Sequence, residues 1–120
     1  MDSAPAGRQI EISILELASA KLRSHLGEGE EFGWSRELDE SLRFNQKVWD
    51  VFSADWMSPG CHLEQSLRES LLSIAIFVKK KTFGVMAQPK IEDLELLLQL
   101  NGNIIDGLRA GLETRHQNSA

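Results

Sequence analysis

Residues 42–78 read LRFNQKVWDVFSADWMSPGCHLEQSLRESLLSIAIFV, and the reading of this stretch decides the fold. Leu38, just upstream, is followed by Leu42, Asn45, Trp49, Phe52 and Trp56 at intervals of four, three, four, three and four residues. That spacing has the helical period and puts all six on one face, an amide among apolar side chains. Met57-Ser58-Pro59-Gly60 then breaks the pattern, because proline and glycine punctuate helices. Beyond the turn, Leu67-Arg68 leads into the near-continuous apolar run from Leu71 to Val78, which ends against Lys79-Lys80-Lys81. The β-branched Ile74 and Ile76 would suit a buried strand. The preceding EQSLRES is helix-forming and free of turn signals, so length favours a helix starting near Leu63 or Glu64. A helix apolar on nearly all sides is expected at the centre of a bundle, with neighbours all round.

Two further helices follow outward. Upstream, Ile10, Ile14, Leu17, Ala18, Leu22 and Leu26 predict a helical face over 10–26, with Ile12 off it. The alternation of Ile10, Ile12 and Ile14 leaves a strand as a five-residue rival. Gly27 suits the left-handed position after a helix end. The segment GEGEEFGW, 27–34, reads as a loop whose Phe32 and Trp34 fold back on the body. Ser35 is placed to cap the next helix, and Glu37 favours its positive end. Downstream, Gly84 and Pro89 mark a break. Leu94, Leu98, Asn101, Ile105 and Leu108, widened by Leu97, Leu100 and Ile104, then predict a helix over 91–110. The expected architecture is all-α, a single-domain four-helix bundle. Its expected organisation is a flexible arm at 1–9, a helical domain at 10–112 and a flexible tail at 113–120.

Composition narrows the function classes. A chain of 120 residues, 42% hydrophobic and 26% charged, has the make-up of one folded domain. At a net charge of −5 it lacks the electrostatic footprint for nucleic acid, which would need a local basic patch. A nucleic-acid partner is therefore not expected. The single cysteine, Cys61, can form no internal disulfide. The N-terminal stretch lacks the pattern of a signal peptide. The longest apolar run is eight residues, whereas spanning a bilayer takes ~20. A cytoplasmic protein without a membrane partner is expected.

Read together, these residues resemble the FlaF family, small regulators of flagellin biosynthesis in alphaproteobacteria. The family pattern has an asparagine and a tryptophan four residues on, here Asn45 and Trp49. It continues with an aspartate, a Ser-Pro turn, a leucine, Leu-Arg and an apolar helix, here Asp55, Ser58-Pro59, Leu63, Leu67-Arg68 and the run to Val78. Its closing signature corresponds to Leu98-Gln99-Leu100-Asn101, Ile105 and Gly107-Leu108. The match covers about residues 10–110. Cys61, Glu64 and Phe77 stand where the family has asparagine, proline and tryptophan. The loss of that proline removes a stop on fraying at the start of the third helix. The resemblance implies a cytoplasmic factor for flagellin production, paired functionally with the regulator FlbT. It implies direct binding of flagellin in the manner of an export chaperone, or post-transcriptional control of flagellin messages.

Each notable residue also has a plain structural reading. Asn45 and Asn101 interrupt apolar faces, and a buried amide without a partner costs ~1–3 kcal/mol. They are expected to bond each other or nearby helix ends, fixing register as a buried asparagine does in coiled coils; a direct partner contact is the rival. Trp49, Phe52 and Trp56 form an aromatic stripe that is core at this spacing. Its functional alternative is a groove for an amphipathic helix, with Trp56 and Met57 best placed for exposure. Asp55 and Arg68 flank the turn and are expected to meet across it. Lys79-Lys80-Lys81 reads as cations solvating a helix end, with RNA phosphate as the rival. Cys61 and His62, with His25 and His116 distant in sequence, lack zinc-ligand spacing, and no glycine-rich phosphate loop is present. Neither catalysis nor a cofactor is expected.

Overall fold

A computed structural model describes the backbone of residues 4–118 and the side chains of residues 7–111. Four helices make up the chain: α1 (Ala4–Arg23), α2 (Arg36–Met57), α3 (Gln65–Ala87) and α4 (Ile91–Asn118). A 3₁₀ segment, Leu26–Glu31, joins α1 to α2. The architecture is all-α, with no strand among the described residues. α1 packs against α2 and α4, and α3 packs against α2 and more lightly against α4. The two outer members, α1 and α3, thus occupy opposite corners.

The local signals around α2 act as the sequence requires. The Ser35 Oγ accepts from the Leu38 amide at 3.0 Å, closing the N-terminus. At the other end the Ser58 amide donates to the Asp55 carbonyl at 3.1 Å, and Pro59 follows. α3 begins where expected even without a proline. The Glu64 carboxylate accepts from the Leu67 amide at 3.2 Å and from the Ser66 hydroxyl at 2.8 Å, capping its own helix.

Several helix limits differ from the sequence reading. α1 starts at Ala4, inside the expected arm, because Pro5 falls in the first turn, where its missing N–H costs nothing. α4 runs on to Asn118 through good helix formers such as Leu112, Glu113 and Arg115. Of the expected arm and tail, residues 1–3 and 119–120 lie outside the described residues. Gly84 lies inside α3, which ends at Ala87 next to Pro89. α1 stops at Arg23, where the Ser24 hydroxyl donates to the Lys21 carbonyl and the His25 amide donates to that of Leu22. The left-handed residue in this connection is Gly29, at φ 60°, rather than Gly27.

The face that α1 buries is also rotated from the expected one. Ile12, Leu15, Ala18, Ser19 and Leu22 are buried, while Ile10, Ile14 and Leu17 are exposed. Both sides of this helix carry apolar residues. The buried set recurs at three, four and three residues (12, 15, 19, 22), a cleaner helical period than the mixed set of Ile10, Ile14 and Leu17 with Ala18 and Leu22.

The core is organised on α2, not α3. Leu38, Leu42, Asn45, Trp49, Phe52 and Trp56 are all buried, as their spacing requires. Trp49 and Trp56 meet edge to face with ring centroids 6.2 Å apart, a favourable aromatic geometry. Within this core, Asn101 joins three helices. Its Nδ2 donates to Asn45 Oδ1 at 2.8 Å on α2 and to Ser19 Oγ at 3.1 Å on α1. Its Oδ1 accepts from Trp49 Nε1 at 2.8 Å. The expected pairing of the two buried amides is therefore present, and it also satisfies the indole. Asn45 Nδ2 is left without a partner.

This arrangement orders the consequences of removing each amide. Asn101→Leu orphans the Trp49 N–H and the Asn45 carbonyl, at ~1–3 kcal/mol for each buried group. Asn45→Leu orphans one Asn101 N–H and removes the unpartnered Nδ2. Thermal unfolding is expected to rank the native chain above Asn45→Leu, and Asn45→Leu above Asn101→Leu. The reverse order of the two variants would contradict the network.

Candidate functional surface

Burial sorts the residues singled out in the sequence. Trp49, Phe52 and Trp56 are buried, so the aromatic stripe packs the core, with Trp56 at its edge. Trp56 is buried because it closes the end of the α2 face against Trp49 and Phe52, with its ring 5.9 Å from that of Phe52. Met57, one residue on, points the other way and is 65% exposed. Of the two loop aromatics, Phe32 packs on the core, but Trp34 stays exposed beside the α2 N-terminus.

The other motif positions divide similarly. Asp55 and Arg68 form no ion pair with each other. Asp55 instead borders a shallow cleft with Arg8, Trp56, Cys61 and His62, on the α1 side of α2. Pro59 is exposed in the turn, and Leu67 stands half exposed near the start of α3. Leu108 packs against the core, whereas Gly107 faces outward. Among the described residues no group of three or more His, Cys, Asp or Glu side chains is placed to hold a metal ion. No helix among them is long and apolar enough to cross a membrane.

His25 answers to neighbours rather than to a site. Buried at the end of α1, its ring nitrogens lie 3.0 Å from Glu28 Oε2 and 3.3 Å from Ser41 Oγ. It pins the 3₁₀ segment to α2. The lysine run also departs from its expected place. α3 continues past it, so the cations do not cap a helix end. Lys81 instead reaches Asp93 of α4 at 3.4 Å and covers the Phe77 ring at 5.5 Å, while Lys79 and Lys80 face solvent.

The feature the sequence reading missed is on α3. That helix buries only Ala75, Val78, Thr82 and Val85, the Thr82 hydroxyl being satisfied by the Val78 carbonyl at 2.7 Å. Its larger apolar side chains are left outside: Ile76 is 59% exposed, Phe83 57% and Phe77 43%. Leu71, Leu72, Ile74 and Met86 are partly buried against the core, so α3 has one face for the bundle and a second, carrying Ile76 and Phe83, that the bundle leaves uncovered. The signal was in the sequence. An apolar run too wide for one core face fits a two-faced helix as well as a central one.

This second face borders a groove between α2 and α3. Met57 and Asp50 line the α2 side, and Leu72, Ala75, Ile76 and Lys79 the α3 side, around a volume of about 380 Å³. Its lining is mainly apolar. Leu72, Ile76 and Phe83 lie on one line of α3, at intervals of four and seven residues. The geometry can seat an amphipathic helix alongside α2 and α3, by apolar contact rather than by chemistry on a bound substrate.

If the face is free of the core, polar replacement there leaves stability almost untouched. Ile76→Ser is expected to shift unfolding by no more than ~0.5 kcal/mol, as at other exposed sites. Leu97→Ala, in the buried α4 face, is expected to cost ~2–5 kcal/mol. Chemical denaturation of the two variants checks the contrast.

A family model described as Flagellar protein FlaF matches residues 1–108. No curated protein matches, and no solved structure does.

Proposed function

This chain belongs to the FlaF family of flagellar proteins, and from that premise we propose that it binds newly made flagellin in a chaperone-like manner, promoting its synthesis and export. Unpolymerised flagellin carries amphipathic terminal helices that pack together inside the filament. A protein that covers them holds the subunit apart until it is exported. The observation that carries this reading is the inverted α3, with Ile76 and Phe83 outside and Ala75, Val78 and Val85 inside. Fully burying one such large apolar side chain contributes ~1.5–3 kcal/mol. Several together, in a groove, are enough to anchor a helix. The binding residues on this reading are Met57, Leu72 and Ile76, in place of the buried tryptophans. The work is binding rather than catalysis, carried out in the cytoplasm and in functional partnership with FlbT.

The rival reading is control of flagellin production through the message or through FlbT. Lys79 and Lys80 are its best support. Arg68, three turns back on α3, adds a cation to their face, but Leu72 and Ile76 lie between. Arg8 sits on α1, at the opposite corner from α3, and pairs with Glu11 at 2.9 Å. The apolar groove therefore favours a protein partner.

Isothermal titration with monomeric flagellin tests the proposal. Binding is expected with intact flagellin and is expected to vanish when the recognised terminal helix is deleted. Ile76→Glu, at an exposed position, is expected to weaken it sharply, because it removes a large apolar side chain from the groove and leaves there a charge that binding must desolvate. Absence of heat with intact flagellin well above micromolar concentration would reject direct binding.

A further inference from the structure

The α3 side of the α2–α3 groove has a charge opposite to that of the molecule and to that of Asp50 across it. The chain carries a net −5, yet the α3 lip presents Lys79 and Lys80, both exposed, with Arg68 half-buried toward the same end as Leu72. None of the three has an ion-pair partner among the described residues. Lys81, the remaining cation of the run, is engaged by Asp93. On the α2 side Asp50 is the acidic group, and its Oδ1 already accepts from Gln46 Nε2 at 2.8 Å. Arg68, Leu72, Ile76, Lys79 and Phe83 follow one another at four, four, three and four residues. They form a single line along α3 in which apolar and cationic side chains share one face.

We infer that the groove selects an acidic amphipathic helix of a partner protein, with an apolar stripe bordered by Glu or Asp where it meets Lys79 in the groove and Lys80 outside it. This rests on the reading of the groove as the partner site and adds the chemistry of the segment that enters it. From Leu72 to Phe83 the line covers about 16 Å at the helical rise, so the occupant contributes about three turns. Its apolar residues at helical spacing take the places along Met57, Leu72, Ile76 and Phe83. Its acidic flank meets cations that no group of this chain neutralises, which sets orientation and excludes basic helices. A second copy of this chain is a poorer occupant. Pairing two such grooves about a two-fold axis brings the lysines of one copy toward those of the other. The exposed line on α1, Ile10, Ile14 and Leu17, runs four residues on into Lys21, a like charge for this rim.

The test uses the full chain and two labelled helical peptides with the same apolar stripe, one flanked by Glu and one by Lys, followed by fluorescence anisotropy. The Glu-flanked peptide is expected to bind about tenfold more tightly, as two rim charge pairs give, with the gap shrinking as salt rises. The double variant Lys79→Glu, Lys80→Glu is expected to keep its helical circular dichroism and to reverse the order. Equal affinity for both peptides, or no binding of either, overturns the inference. So does a dimer, seen by analytical ultracentrifugation, that the acidic peptide fails to dissociate. Flagellin binding without any peptide charge preference would sink this inference and leave the proposed function standing. Charge-selective peptide binding without flagellin binding would do the opposite.

Discussion

The Asn101 side chain is the constraint on which the rest of the bundle depends. It sits fully buried on α4 and bonds to Ser19 on α1 and to Asn45 and Trp49 on α2. Apolar faces alone tolerate rotation and sliding, since one leucine replaces another at modest cost. Directional bonds to two other helices do not. A one-residue slip of α4 would leave several buried polar groups unpaired, at ~1–3 kcal/mol each, a large part of the stability of a small domain. The network also accounts for a tryptophan in the middle of α2: a buried indole N–H needs an acceptor, and Asn101 supplies it.

The network ties α1, α2 and α4 together and leaves α3 outside it. α3 is held by Ala75, Val78 and Val85, with Leu71, Leu72, Ile74 and Met86 partly buried against the core, and by one ion pair, Lys81 to Asp93, toward α4. This asymmetry separates the two tasks of the chain. Three helices with a specified register form a stable body, and the fourth presents apolar surface without endangering that register. Ile76 and Phe83 can remain uncovered because the core does not need them.

Much of this was legible in the sequence, for definite reasons. The α2 stripe from Leu38 to Trp56 keeps an unbroken helical period over six residues, so its buried face could be read although Phe44, Val48 and Val51 add apolar side chains on a flank. Ser35 and Pro59-Gly60 bounded it through local bonds and backbone geometry that need no tertiary partner. The cost of burying an amide alone required partners for Asn45 and Asn101, and of the two choices, each other or nearby helix ends, the bundle took the first. The resemblance to the family was read in part from Asn45, Trp49, Leu67-Arg68 and Asn101, and Asn45, Trp49 and Asn101 sit in the network.

Where a helix carried apolar residues on more than one side, periodicity could not choose. α1 has Ile10, Ile14 and Leu17 on one flank and Ile12, Leu15 and Leu22 on the other; packing against α2 and α4, with Ser19 reaching Asn101, selected the second. α3 offered an apolar run on nearly every side, which fits a central helix or a two-faced one equally well. Which neighbours surround it is a property of the assembled bundle. The same holds for Trp56 and Met57, adjacent in sequence and opposite in exposure, because a helix turns about 100° per residue and only the position of the other helices says which direction is inward. By itself the sequence determined the all-α class, the α2 face with its Ser35 cap, and the need of the two buried amides for partners, since these follow from local bonds and desolvation. The tertiary structure alone decided which apolar faces stayed exposed, because that depends on how many faces four helices can cover.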